Sequence, residues 1–153
     1  MTISVAPIPH EMKRNGRPPD PQFDPEERLF MRFAHLSGAH VDATEIRCPD
    51  QSVNRGKYSK QEWVLLPSWR DWGIACFQVR SVPQHLLGGG TAQSYFMVEH
   101  VPLDDNYSHS EIQAFADPVR QQRQKRTSPA VGLQFRTLLS QQTLVLQPPA
   151  GAS

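Results

Sequence analysis

The stretch His109-Ser110-Glu111-Ile112-Gln113-Ala114-Phe115 decides the architecture of this chain, because it reads as either of two elements. As a helix it would open on a capping box, with Ser108 at the N-cap and Glu111 three residues on, and both side chains would be structural. As a strand its side chains alternate: Ser110, Ile112, Ala114 and Ala116 face a core, while His109, Glu111 and Gln113 share the other face. The alternation of small or apolar with polar residues favours the strand, and Asp117-Pro118 ends it as a strand would end. His109 and Glu111 are then expected side by side at the lip of a sheet. His100 should lie at a neighbouring strand end and the cationic turn around Arg55 close by.

Working outward, Ser94 to His100 and Trp72 to Val79 read as strands, with Gly88-Gly89-Gly90 breaking the chain between them. Val41 to Arg47 alternates apolar and polar residues and reads as a half-exposed strand. Ser52 to Tyr58 reads as a loop, with Asn54 and Gly56 supplying permissive backbone positions. Ser59-Lys60-Gln61-Glu62 fits a capping box opening a short helix through Leu66. Asp24-Pro25-Glu26-Glu27 starts a helical turn that leads into the apolar run Leu29 to Leu36. Late in the chain, Ser128-Pro129 starts a helix whose apolar stripe is Val131, Phe135, Leu138 and Leu139, and Thr143 to Gln147 closes as a strand. Strands outnumber helices without regular alternation. The expectation is a single α+β domain: an antiparallel or mixed sheet with two or three short helices.

The chain has 153 residues, enough for one domain with a real core, and a formal net charge of +1, so no global field steers it toward nucleic acid or membrane. Residues 1–24 are polar and proline-rich and read as a flexible tail, as do residues 148–153, which leaves 25–147 as the folded unit. Two cysteines, Cys48 and Cys76, are too few for a disulfide framework and read as reduced structural thiols. No stretch has the ~20 apolar residues that span a bilayer, and no apolar signal core opens the chain. The expectation is a cytoplasmic protein with no membrane partner.

The densest chemistry lies between Glu99 and Glu111, where His100, Asp104, Asp105, Asn106, Tyr107 and His109 follow one another closely. His109 beside Glu111 would make an acid/base pair if the protein is an enzyme, because a carboxylate raises imidazole basicity. The alternative is that Asp105-Asn106 forms a turn and His109 bonds only to backbone. Arg55, Lys57 and Tyr58 present two cations and a phenol beside the amides freed by Gly56, a grouping suited to phosphate or carboxylate. His100, Asn106 and Tyr107 would orient that anion. A metal is a minority reading, since neither an HExxH helix nor a facial-triad spacing occurs. Arg120, Arg123, Lys125 and Arg126 form one basic cluster that could touch nucleic acid, but no aromatic residues interleave for base stacking. Trp63, Trp69 and Trp72 flank a proline-containing turn and could line a groove, though core and rim packing explains them more economically. The triple glycine lacks dinucleotide-fingerprint spacing, and no nucleophile elbow is present.

The order of segments resembles a family of uncharacterised small bacterial proteins. The matching positions are the apolar run Leu29 to Leu36, Ser52-Val53-Asn54, the strand at 73–77, and Pro102 through Asp105-Asn106 to His109. That resemblance implies no activity. A weaker similarity runs to ADP-ribosyltransferase-like toxins of the RES kind, and it implies an NAD cleft. Arg32 or His35, then Tyr58 or Ser52, then Glu111 would stand at its working positions. Two expectations follow. The first is a small recognition or accessory domain, without cofactor, that binds an anionic ligand or a protein partner through the 52–58 and 100–111 loops. The second is a nucleotide-using transferase with His109 and Glu111 as acid/base groups and Arg32 or Arg55 on phosphates.

Overall fold

In the computed structural model, which describes residues 7–151, His109–Phe115 is a strand. The strands are β1 (Arg28–Phe33), β2 (Leu36–Ser37), β3 (His40–Val41), β4 (Gln51–Arg55), β5 (Gly73–Gln78), β6 (His85–Leu87), β7 (Gln93–His100), β8 (His109–Phe115), β9 (Arg123–Gln124) and β10 (Leu144–Gln147). The main sheet runs β10-β5-β1-β4-β8-β7-β6, with β9 added to β8, and every pairing is antiparallel. Among the described residues, one α-helix, α1 (Pro129–Gln142), and four short 3-10 turns complete the fold. This is the α+β class the strand-rich pattern implies.

Because opposite residues in a sheet share a face, the register sorts the side chains into two sets. Leu29 opposes Arg55 and Phe77, while Val98 opposes Ile112 and His100 opposes Ser110. These residues form the inner face, where Leu29, Met31, Val53, Phe77, Phe96 and Ile112 pack against Val131, Phe135 and Leu139 of α1. Helix α1 starts where Ser128 accepts a hydrogen bond from the Val131 amide at 3.2 Å, with Pro129 in the first turn. Its end is tied to β3, since the Ser140 hydroxyl donates to the Val41 carbonyl and the Val41 amide donates to the Thr143 hydroxyl. Phe30 opposes Asn54 and Cys76, and Asn54 opposes His109, so these residues face outward. There the segment after Tyr58 lays Val64 over Phe30, Ile74 and Cys76 as a second, smaller core.

Several local expectations give way to tertiary packing. Ser52 to Arg55 is not a loop but β4, held between β1 and β8 near the middle of the sheet. Val41 to Arg47 is not a continuous strand: after β3, Asp42 caps a 3-10 turn over Ala43–Glu45 by accepting from the Thr44 amide. Ser59 does not cap; the 3-10 turn Gln61–Trp63 starts at Lys60 without a side-chain cap. The segment read as an amino-terminal tail packs on the domain from Met12, which is buried, and its Met12 carbonyl accepts from the Tyr107 amide at 2.7 Å. Composition misses this because its contacts are main-chain and aromatic rather than aliphatic. Residues 1–6 lie outside the described residues. At the other end Pro149 is buried and the Ala150 amide donates to the Asp71 carbonyl at 3.0 Å, while residues 152–153 lie outside those described. No helix among the described residues is long and apolar enough to cross a membrane.

Candidate ligand-binding site

The residues expected to form one site divide between the two faces. On the inner face, Arg55 is fully buried and every part of its guanidinium is engaged. Nε and Nη2 donate to the two Glu27 carboxylate oxygens at 2.9 and 2.8 Å, Nη1 donates to the Asp20 carbonyl at 2.8 Å, and Nη2 also to the Gln22 carbonyl at 2.6 Å. The Phe23 ring lies 3.8 Å from the guanidinium carbon. Bidentate carboxylate pairing is the strongest geometry open to arginine, and it leaves nothing for a ligand. Arg55 is therefore not an anion-holding loop residue. The cause is parity: as the last residue of β4, opposite Leu29, it must point into the protein.

Lys57, Tyr58, His100 and Tyr107 gather around the same segment. The Asp20 carboxylate takes the place of the expected anion: Tyr58 Oη donates to it at 2.5 Å and Lys57 Nζ at 3.0 Å, with Arg55 Nη1 at 3.6 Å. Hydrogen bonds from Tyr58, from the Gln22 amide and from Lys57 hold Asp20 well below the usual carboxylate range. His100 Nδ1 accepts from the Asp20 amide at 2.8 Å, so its proton sits on Nε2, which donates to the Tyr107 carbonyl at 2.6 Å. Burial pushes the His100 pKa down, and nearby Arg55 adds to the shift, so the imidazole is neutral. Tyr58 stacks on His100 at 5.5 Å, Arg17 covers Tyr107 at 3.8 Å, and the Tyr107 hydroxyl donates to the Pro18 carbonyl. Asn106 ties the loop to β4 through its amide on Asn54 Oδ1 at 2.6 Å. These are the joints of a clasp that holds residues 17–23 to the sheet.

The outer face is different. Arg32, Ser52, Asn54 and His109 line a cavity of about 440 Å³, walled by Trp69 and Trp72 and rimmed by Thr44, Glu45 and Arg47. Arg32 is half-buried, and burial lowers its pKa from the ordinary guanidinium value. Its one hydrogen bond among the described residues is from Nη1 to the Val64 carbonyl at 3.2 Å, and no carboxylate there pairs with it. Its guanidinium carbon sits 4.2 Å from the Trp69 ring centre, which stacks with Trp72 edge to face at 5.2 Å. The Glu45 carboxylate is spent on the amides of Ala34 and His35. Asn54 Oδ1 is taken by Asn106 and Ser108, and among the described residues its Nδ2 has no partner. His109 Nδ1 donates to the Val101 carbonyl at 2.9 Å, and its Nε2 likewise has no partner among them. The groove is thus rich in donors, and the carboxylate in its lining, Glu45, is held by main-chain amides rather than by Arg32.

His109 and Glu111 do share this face, but not at a sheet edge, because β8 lies between β4 and β7. Nor do they bond to each other. Glu111 accepts from Gln113 Nε2 at 2.9 Å and stands opposite Glu99, whose own charge is met by Arg123 at 2.9 Å. The basic cluster is dispersed likewise: Arg120 donates to the Phe96 and Pro118 carbonyls, Arg123 to Glu99, and Lys125 and Arg126 are exposed. No local pattern marks Arg47, and for Trp69 and Trp72 the groove-lining reading is the one the cavity matches, rather than packing alone. The parity of β1 is the signal for Arg32, which it sends to the face opposite the apolar Leu29-Met31-Phe33 set. Compared with protein-family models, curated proteins and solved structures, the chain matches none.

Proposed function

We propose that this is a small recognition domain that binds an oxyanion-bearing ligand in the outer-face groove, with Arg32 as its anchor. Arg32 carries the proposal: a half-buried guanidinium without a carboxylate partner has donors in hand and a desolvation cost that an arriving anion offsets. Arg47 at the rim adds a second cation, and Ser52 and Asn54 Nδ2 add neutral donors. The cavity volume falls within the range of small-molecule sites. The two free thiols, Cys48 and Cys76, suit a reducing compartment such as the cytoplasm. The transferase alternative gains no support, since His109 and Glu111 are each bonded elsewhere.

Calorimetric titration at low salt with inorganic phosphate and with acetate tests the reading. Saturable binding that is lost in Arg32→Met, and weakened several-fold in Arg47→Gln, is expected. Binding unchanged in Arg32→Met, or no binding of either anion, refutes it.

A further inference from the structure

Building on the anion site at Arg32, we infer that the ligand of the groove is a flat ring carrying an oxyanion, with the ring against the indole of Trp72 and the oxyanion on Arg32. The planes of Trp69 and Trp72 meet at 83° with centres 5.2 Å apart, so the pair forms a corner rather than a sandwich. Arg32 covers Trp69 from 4.2 Å. Trp72 is 36% exposed and lines the same cavity, so part of its indole is open to a ligand there. The turn that carries both rings is anchored, with the Trp69 amide donating to the Leu65 carbonyl and the Trp72 amide to the Trp69 carbonyl. These bonds order the main chain that carries the two indoles. Across from them stand Ser52, Asn54 Nδ2 and His109 Nε2, polar groups that can meet ring heteroatoms.

A simple oxyanion would use Arg32 and leave the indole corner idle. A neutral ring would use the corner and leave Arg32 unpaired. Only a ligand with both parts engages the whole groove. Two sources share that chemistry, a nucleoside monophosphate and an aromatic carboxylate.

Titrations of the full chain, followed by tryptophan fluorescence and calorimetry, compare AMP, adenosine and inorganic phosphate in one arm, and indole-3-carboxylate and acetate in the other. Stacking on an aromatic side chain is worth roughly tenfold or more in affinity. At least one ring-bearing anion is expected to bind about tenfold more tightly than its bare anion. AMP doing so identifies a phosphate source, and indole-3-carboxylate a carboxylate source. Trp72→Leu is expected to reduce the preferred probe to the affinity of the bare anion, with an unchanged urea midpoint showing that the fold is intact, whereas Trp63→Phe should change nothing. Phosphate or acetate binding as tightly as the ring-bearing probes overturns the ring inference and leaves the anion site standing. Adenosine binding as well as AMP overturns the anion site itself, and no binding by any probe overturns both.

Discussion

Arg55 and Arg32 lie on adjacent strands of one sheet, yet the protein treats their charges in opposite ways. Arg55 points inward, is fully buried, and is met by the Glu27 carboxylate, two main-chain carbonyls and the Asp20 carboxylate. Arg32 points outward, is half-buried, and has one carbonyl partner and a tryptophan. Both sit in partly desolvated surroundings, where a cation costs free energy unless it is compensated. Compensation from within the chain makes Arg55 a structural residue, and its lack makes Arg32 available. Cationic composition alone is a poor guide to binding. What matters is how many donors remain after folding.

The largest expected effect lies on the inner face. Arg55→Met strands the Glu27 carboxylate, which is almost as buried as its partner, and should destabilise the domain by about 3–5 kcal/mol in urea unfolding. A loss under 1 kcal/mol would show that the clasp is not structural. On the outer face, Arg32→Met should remove phosphate affinity by tenfold or more while shifting stability by only about 0.5 kcal/mol, because it breaks one weak hydrogen bond and removes an uncompensated charge. A large stability loss there would erase the contrast between the two arginines. Tyr107→Phe deletes the hydroxyl bond to the Pro18 carbonyl and should cost about 1 kcal/mol without altering anion binding, measured by urea unfolding and calorimetry.

The smallest effect is a pH dependence. The His100 pKa is depressed in the fold, so between the depressed value and the ordinary one of about 6.5 the unfolded chain binds a proton that the fold does not. Stability should therefore be full above that ordinary value and decline as pH falls below it. Proton NMR should place the His100 titration midpoint below 6.5, and a midpoint above it would mean that the imidazole is not held neutral by burial.

Much of the sheet was legible in the residues. The alternation in His109–Phe115, the apolar run in Gly73–Gln78 and the Ser128-Pro129 start of α1 are local signals, and the structure contains all three. Ser52 to Arg55 was misread because Asn54, Arg55 and Gly56 look like turn chemistry, whereas pairing with β1 and β8 draws 51–55 into the sheet. The amino-terminal segment was misread for a related reason. Arg17-Pro18-Pro19-Asp20-Pro21 has few aliphatic side chains, and what it offers instead is carbonyl oxygens and one carboxylate to a buried guanidinium and two phenols. Of the candidate site, parity puts His109 and Glu111 on one face, as the structure does, but the cation that shares a cavity with His109 is Arg32 rather than Arg55.

The sequence by itself determined the strand-rich class, the chief strands and the single long helix, because alternation, capping and proline stops act over a few residues. Tertiary structure alone decided which arginine is spent and which is free. The acceptors that occupy Arg55 come from 28, 33 and 35 positions earlier in the chain, and no local pattern records how such distant groups share charge once folding has excluded water from between them.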